Sequence, residues 1–275
     1  MIEIPEAFQI SQQISEHLAG KRVADTLVAA SPHKFAWYQG SPQDYPNLLN
    51  GKVLRSASPV GGMIEISFGA ILLVLSEGAY PLFLPRSADA SAKHQLLITF
   101  SDDTELVVSV RMYGGILAFP AGLADNPYYL LAKERPSPLS EEFDRATFTA
   151  LLGSEGIEKL SAKAFLATEQ RIPGLGNGTL QDVLYDAGIH PKSRMPDLTP
   201  ERRERLFVSI KQVLKEMANE HGRDTETDLF GNPGNYRTRC SKLTEGQSCS
   251  RCGAAITKAS YMGGSIYFCP GCQPL

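Results

Sequence analysis

Four cysteines close to the C-terminus have the spacing of a metal site. They form two Cys-x2-Cys pairs separated by sixteen residues, Cys249 with Cys252 and Cys269 with Cys272. Four thiolates at this spacing make a closed tetrahedral zinc centre, which leaves no open position for a catalytic water. Disulfides are the alternative, and a reducing cytoplasm disfavours them. The sequence therefore predicts one structural Zn²⁺ ion in a β-hairpin finger.

A glycine-rich turn between two predicted helices is the second feature with chemical potential. Helix formers at 160–167 precede it, and Pro173 is expected to end that helix near Arg171. Asn177 is placed to cap the helix that follows. A turn that leads into a helix N-terminus presents backbone N–H groups and a positive dipole, which suits a phosphate. An ordinary helical hairpin is the alternative interpretation.

Composition and charge restrict the class of protein. The chain has 275 residues, of which 43% are hydrophobic and 21% charged, as in a globular protein long enough for two domains. No apolar run has the length of a membrane span, and the acidic start does not suit a signal peptide, so we expect a cytoplasmic protein. The net charge is −3, but the segment from residue 236 onward has five basic residues and one acidic residue, a net charge of +4. This asymmetry distinguishes a basic tail from an acidic body.

The first half of the chain predicts a helix followed by strands. Pro5 and Glu6 suit the first turn of a helix, and Ile10, Ile14 and Leu18 repeat on one face of it. Short apolar runs then predict a mostly antiparallel β-sandwich, with strands at 62–68, 70–75, 95–100, 105–110 and 115–119.

Helical patterns dominate the second half. Residues 121–140 contain three prolines and no long apolar run, which predicts a linker. A helix is expected over 200–220, with Thr199 as its N-cap. The predicted fold class is α+β, with three domains: an N-terminal β-sandwich with flanking helices at 1–135, a helical domain at 136–235 and the zinc finger at 236–275.

These features together resemble the formamidopyrimidine-DNA glycosylase / endonuclease VIII family. The segments 174–177 and 187–191 resemble its helix–two-turn–helix, and 266–273 resembles the end of its zinc finger. The segment 3–6 resembles the family's N-terminal signature. The resemblance covers nearly the whole chain and implies a monomer that binds duplex DNA, including damaged or abasic DNA, in base-excision repair.

The resemblance implies catalytic groups at the N-terminus, where this chain departs from the family. The family's nucleophile is the amine of an N-terminal proline, which attacks the sugar carbon, with a glutamate as acid or base beside it. Glu3 and Glu6 match the family's acidic residues. Ile2 stands at the proline position, so the α-amine belongs to Met1 and is displaced by one residue.

Two further catalytic positions are occupied by glycine. Gly62 stands where the family has a strand lysine, and Gly264 where it has a finger arginine; both cations grip phosphates in the family. Loss of the proline and both cations predicts lost or altered glycosylase/AP-lyase chemistry. Two alternatives remain open: an active enzyme that uses the Met1 amine or water activated by Glu3, and a non-catalytic architectural or regulatory DNA-binding module.

DNA-binding roles follow from the same resemblance. Lys163 and Asn177 match phosphate contacts, and Arg111 and Tyr113 match residues that enter the gap left by a flipped nucleotide. An ordinary β-turn with surface side chains is the alternative for Arg111 and Tyr113. A plain linker is the alternative for the segment at the place of the family's lesion-covering loop, where this chain has Gly231, Asn232, Gly234 and Tyr236.

Overall fold

The computed structural model describes residues 1–85 and 93–275. The N-terminal part contains two helices, α1 Ile4–Leu18 and α2 Tyr45–Leu49, and seven strands: β1 Val23–Val28, β2 Ala36–Tyr38, β3 Ser56–Val60, β4 Met63–Ser67, β5 Ile71–Leu84, β6 Leu96–Phe100 and β7 Glu105–Pro120. The rest of the chain contains α3 Pro127–Glu134, α4 Arg145–Leu152, α5 Ala162–Ala167, α6 Thr179–Ala187, α7 Pro200–Asn219, β8 Thr257–Tyr261 and β9 Gly264–Phe268.

Helix α1 confirms the periodicity of its sequence. Ile10, Ile14 and Leu18 are all fully buried, and they belong to the same hydrophobic core as the strands. Gln12, Glu16 and His17 between them are exposed, as the helical period requires. The helix therefore covers the β-domain, and its first turn brings the N-terminus to the boundary with the helical part.

The seven strands form one sheet that folds into a sandwich. Their order is β1-β6-β7-β5-β4-β3, antiparallel throughout, and β2 adds to β7 in parallel. Strands β5 and β7 run through both halves, and their register shifts between Glu77 and Ala79. A shift of this kind lets one strand pass between two layers. The inner side chains of both layers share a core with α1, which confirms the predicted sandwich.

One strand replaces the two predicted at 105–110 and 115–119. β7 runs unbroken because Gly114 and Gly115 remain in register opposite Glu77 and Ser76 of β5. Gly114 has no room for a side chain, since a Cβ there would lie 2.7 Å from the backbone nitrogen of Ala79. These glycines at the end of the gap between the two predicted strands therefore permit a close approach of two strands.

The prediction of a linker at 121–140 was wrong. Helix α3 occupies part of it, because Asn126 accepts hydrogen bonds from the backbone N–H groups of Tyr128 and Tyr129, and Pro127 suits the first helical turn. The Tyr129 ring is buried 5.6 Å from the ring of Phe119. Packing of that one aromatic side chain stabilises a helix too short to show a period.

Helices α4 to α7 confirm the helical character of 140–221. Thr199 caps α7 by accepting a hydrogen bond from the backbone N–H of Arg202 at 3.3 Å. Helix α5 ends at Ala167 rather than near Arg171, because Glu169 and Gln170 have positive φ angles that no right-handed helix admits. Within the described ranges, no helix combines the length and hydropathy that a membrane span requires.

Candidate functional site

A cleft of about 560 Å³ lies where the N-terminus, the bend of β7, the α5–α6 turn and the β8–β9 hairpin meet. Five of the predicted site residues line it: Met1, Glu3, Tyr113, Lys163 and Asn177. Glu6 and Arg111 do not line the cleft, and they contact Arg223 and Tyr80 respectively. The cleft therefore joins groups from the N-terminal, central and C-terminal parts of the chain.

The Glu3 carboxylate caps helix α6. Its Oε1 accepts a hydrogen bond from the backbone N–H of Gly178 at 2.8 Å. Its Oε2 accepts from the backbone N–H of Thr179 at 2.8 Å, from the Thr179 hydroxyl at 2.6 Å and from the N–H of Gly176 at 3.2 Å. The N–H groups and helix dipole that suggested a phosphate site in the sequence thus hold a carboxylate of the same chain.

Asn177 does not cap α6, which corrects the sequence-based expectation. The cap position belongs to Gly178, and the Asn177 amide instead donates a hydrogen bond to the backbone carbonyl of Ser265 in β9 at 3.0 Å. The reason lies in the tertiary structure, because Glu3 already satisfies the free N–H groups of the first turn. Asn177 consequently joins the helical turn to the hairpin.

A buried arginine connects the two acidic residues of the N-terminus. The Arg223 guanidinium lies 3.6 Å from Glu3 Oε1, and it donates to Glu6 Oε1 and Oε2 at 2.9 and 2.6 Å. It also donates to the carbonyl oxygen of Met1 at 3.1 Å. Burial disfavours the charged form of Glu3, but the charge of Arg223 and the Thr179 hydrogen bonds outweigh it, and the pKa of Glu3 is lowered. Glu3 is therefore a carboxylate at neutral pH.

The α-amine of Met1 forms an ion pair at the edge of the cleft. It lies 2.8 Å from Glu226 Oε1, and the hydroxyl of Tyr80 donates to the other oxygen of that carboxylate. The Arg111 guanidinium stacks on the Tyr80 ring, 4.1 Å from its centroid. Burial and the neighbouring Glu226 raise the pKa of Tyr80, so its hydroxyl remains a donor. Arg111 thus contacts the N-terminal cluster through Tyr80.

The opposite wall of the cleft brings together Lys163, Asn177 and Gly264. Lys163 donates to the backbone carbonyl of Tyr261 at 2.7 Å, and burial lowers its pKa. A Cβ built on Gly264 would lie 3.6 Å from Lys163 Nζ and 4.0 Å from Asn177 Nδ2. An ammonium has three donor hydrogens, so two remain beyond the bond to Tyr261.

Gly62 has no space for a larger side chain. A Cβ at this position would lie 2.9 Å from the Cα of Gly174 and 3.4 Å from the Cα of Glu3. The β3–β4 turn packs its backbone directly on the α5–α6 turn. The two glycine replacements therefore differ, because Gly264 borders open space and Gly62 belongs to a closed backbone contact.

The segment at the place of the lesion-covering loop is a short, hydrogen-bonded turn. Asp228 N donates to the carbonyl of Asn232, and Asn232 N donates to Asp228 Oδ1, both at 2.8 Å. Gly231 has a positive φ of 82°. Gly234 packs on the backbone of Gly222, and the Tyr236 ring is buried in the helical core. A role over a lesion remains a prediction for this segment.

The four cysteines of the two Cys-x2-Cys pairs form one cluster that can hold a metal ion. All their Sγ atoms lie within 4.8 Å of one another. The Sγ atoms of Cys249 and Cys272 are 3.7 Å apart, and those of Cys252 and Cys269 are 3.3 Å apart. A tetrahedron with metal–sulfur bonds of about 2.3 Å has edges of about 3.8 Å, so the spacing fits a four-thiolate centre. Cys240 is buried outside this cluster.

Three residues of the site carry no signal in the sequence. Arg223 and Glu226 lie in a turn after α7, and Tyr80 lies in the middle of β5. No motif surrounds them, and their partners Glu6, Met1 and Glu226 are more than 140 positions distant. Only the fold brings these groups together.

Known proteins are similar to this chain over its full length. The chain is 27% identical to the formamidopyrimidine-DNA glycosylase of Shouchella clausii, over 100% of this chain and 99% of that protein. It is 28% identical to the protein of the same name from Halalkalibacterium halodurans, over 99% and 100% of the two chains. No family model matches the sequence.

Solved structures have the same fold. The Lactococcus lactis Fpg in complex with abasic-site DNA superposes with a TM-score of 0.85 and 24% identity, covering 99% of this chain and 100% of that chain. The same protein in complex with DNA that contains N7-benzyl-Fapy-dG gives a TM-score of 0.84. The chain is thus similar over its full length to formamidopyrimidine-DNA glycosylases, and it shares the fold of the Lactococcus lactis Fpg.

Proposed function

We propose that this chain binds duplex DNA at a damaged or distorted site along the cleft, and that it serves DNA repair without the family's usual glycosylase/AP-lyase reaction. Support for the DNA partner comes from relatives named formamidopyrimidine-DNA glycosylase and from structural neighbours solved with damaged or abasic DNA. Binding as a monomer in the cytoplasm or nucleoid is consistent with this role.

The wall formed by Lys163, Asn177 and the β8–β9 hairpin supports the binding part of the proposal. Lys163 retains two donor hydrogens at the cleft, and its partly buried charge interacts more strongly with a phosphate than an exposed one would. Phosphate contacts of this kind position a duplex without reading its sequence. Affinity should therefore decrease steeply with salt.

One observation carries the proposal of lost chemistry: the Glu3 carboxylate is saturated. Four hydrogen bonds and Arg223 surround its two oxygens, and only 5% of the residue is exposed. A carboxylate offers about four lone-pair sites, and an acid or base needs one of them free for substrate or water. Activation of water by Glu3 would require breaking the cap of α6.

A zinc ion is the metal we propose for the four-cysteine cluster. Four cysteine thiolates favour zinc among common cellular ions, and a fourth sulfur closes the coordination sphere. The ion would hold the hairpin whose carbonyl groups, at Tyr261 and Ser265, receive the hydrogen bonds of Lys163 and Asn177. Its contribution to DNA binding is thus structural.

The position of the Met1 amine favours a second candidate, an AP lyase. The amine lines the cleft, and Glu226 at 2.8 Å could accept its proton. The free amine would then attack C1′ of the opened abasic sugar, water would leave, and an iminium would form. The contact with Glu226 opposes this step, because the amine would have to leave Glu226 Oε1 before it could reach the sugar.

Two measurements on the purified protein separate these possibilities. Fluorescence anisotropy with intact and abasic duplexes should give tighter binding to the abasic duplex and a steep loss of affinity with salt. Borohydride treatment with the abasic duplex should give no covalent adduct. An adduct that disappears when the N-terminus is acetylated would establish the lyase instead. Equal affinity for both duplexes would favour an architectural or regulatory module, and absence of binding would refute the DNA partner.

A further inference from the structure

An exposed aromatic patch borders the cleft and has no part in the site described so far. Phe35 and Trp37 are each 49% exposed, and Met112 is 72% exposed. Exposing large apolar side chains to water is unfavourable, and a partner that covers them would remove this cost in free energy. The patch consists of Phe35 and Trp37, with Met112 and Tyr113 at its border.

The alternation of side chains along strand β2 orients the aromatic residues of the patch. Ala36 and Tyr38 pack against the core of the β-domain, so the alternating residues Phe35 and Trp37 point away from it. β2 is held on β7 in parallel register, with Trp37 opposite Gly115, and Gly114 N donates to the carbonyl of Phe35 at 3.0 Å. The glycine opposite Trp37 has no side chain that could cover the indole ring.

The patch is continuous with the cleft. The Trp37 ring lies 5.8 Å from the Tyr113 ring, and both Tyr113 and Met112 line the cleft. The ammonium group of Lys34 lies 5.4 Å from the centroid of the Phe35 ring, which adds a positive charge beside the aromatic surface. An aromatic surface with a cation beside it, next to a proposed phosphate wall, matches the chemistry of a nucleotide rather than that of an apolar protein segment.

We propose that Trp37 and Phe35 form a stacking platform for an unpaired nucleobase of the bound DNA. This proposal rests on the DNA-binding function above and specifies its substrate class: a duplex with unpaired nucleotides beside the bound site, such as a short gap or bubble. Base faces are accessible to a flat side chain only where pairing and stacking are broken, and aromatic side chains accept any base on their π face. A fully paired duplex would leave the platform empty.

Trp37 is the only tryptophan of the chain, so its fluorescence reports on the platform directly. The emission should be quenched when the protein binds a duplex with a central three-nucleotide gap, and it should change little with the fully paired duplex. Anisotropy of labelled DNA should show about tenfold tighter binding to the gapped duplex, as expected for one or two stacked bases.

Trp37→Leu keeps an apolar side chain but removes the π surface. We expect this variant to lose most of the preference for the gapped duplex and to bind the fully paired duplex as the wild type does. Tyr128→Leu is the matched control, because Tyr128 is another exposed aromatic residue, on α3, and does not line the cleft. It should retain the full preference. Circular dichroism verifies that both variants are folded.

The outcomes distinguish this proposal from the function on which it rests. Binding of both duplexes with equal affinity and unchanged Trp37 emission would overturn the platform and leave DNA binding intact. A preference for the gapped duplex that survives in Trp37→Leu would overturn it as well. A concentration-dependent emission shift without DNA would assign the patch to a second copy of this chain. Absence of binding to either duplex would overturn both proposals.

Discussion

The carboxylate of Glu3 receives two hydrogen bonds from Thr179, one from its backbone N–H at 2.8 Å and one from its hydroxyl at 2.6 Å. This contact joins the residue before α1 to the first residue of α6, and so links the β-domain to the helical part. The residue that resembles a catalytic acid is therefore also a helix cap. Its two possible roles compete for the same lone pairs.

Glu3→Gln should destabilise the fold strongly. The amide keeps an acceptor but removes the charge opposite Arg223, and its NH₂ group would face the N–H groups of the α6 cap. Removing one partner of a buried ion pair leaves the other charge buried and unpaired. We therefore expect the free energy of unfolding to decrease by about 2 to 4 kcal/mol. Urea denaturation measures it. Glu141→Gln, at an exposed position, is the control and should change stability by less than about 0.5 kcal/mol. Equal stability of the two variants would contradict the cap.

The same substitution should alter the pH dependence of stability. The pKa of Glu3 is lowered in the folded state from its ordinary value of 4.5, so the unfolded state binds more protons as the pH falls. The stabilisation is complete above pH 4.5 and is lost as the pH falls through the lowered value. The difference in unfolding free energy between the wild type and Glu3→Gln should therefore shrink as the pH falls below 4.5. A difference independent of pH would show that Glu3 does not titrate with folding.

Restoring a cation should succeed at Gly264 and fail at Gly62. Gly264→Arg has space beside Lys163 and Asn177, so we expect tighter DNA binding and a salt dependence steeper by about one unit in log K against log salt. Gly264→Gln, which adds bulk without charge, is the control.

Gly62→Lys would press its Cβ on the Gly174 backbone and should lower the free energy of unfolding by about 1 to 3 kcal/mol. A Gly62→Lys variant as stable as the wild type would contradict the close backbone contact between the β3–β4 and α5–α6 turns.

Cys269→Ser should abolish metal binding. Removing one of four thiolates opens the coordination sphere, and the hairpin loses its main constraint. Elemental analysis should find about one zinc ion per wild-type chain and none in the variant. Cys240→Ala is the matched control, since Cys240 is buried beside the cluster but contributes no ligand. Full metal content in Cys269→Ser would contradict the four-cysteine assignment.

Asn177→Ala tests the wall of the cleft without touching the cap of α6. The variant loses the hydrogen bond to Ser265 and one amide group at the cleft. We expect DNA affinity to fall by about tenfold while the midpoint of urea unfolding changes little, because one partly exposed hydrogen bond contributes about 1 kcal/mol. Unchanged affinity would remove the α5–α6 turn from the DNA interface.

The sequence by itself determined the elements whose signals are local. The spacing of Ile10, Ile14 and Leu18 identified the buried face of α1, and Thr199 identified the start of α7. The two Cys-x2-Cys pairs identified the metal cluster, because ligands that are close in sequence need only one hairpin to meet. Hydrophobic period, capping chemistry and short ligand spacing act over a few residues, so they can be recognised without the fold.

Tertiary structure alone decided which groups of the site are free to act. The sequence suggested that Asn177 caps α6 and Glu3 is a catalytic group, but Glu3 reaches across the domain boundary and takes the cap. Arg223 then pairs with the buried Glu3 and Glu6, and Glu226 pairs with the Met1 amine. These are contacts between residues more than 170 positions apart. Their strength comes from burial and orientation, which a linear pattern does not contain.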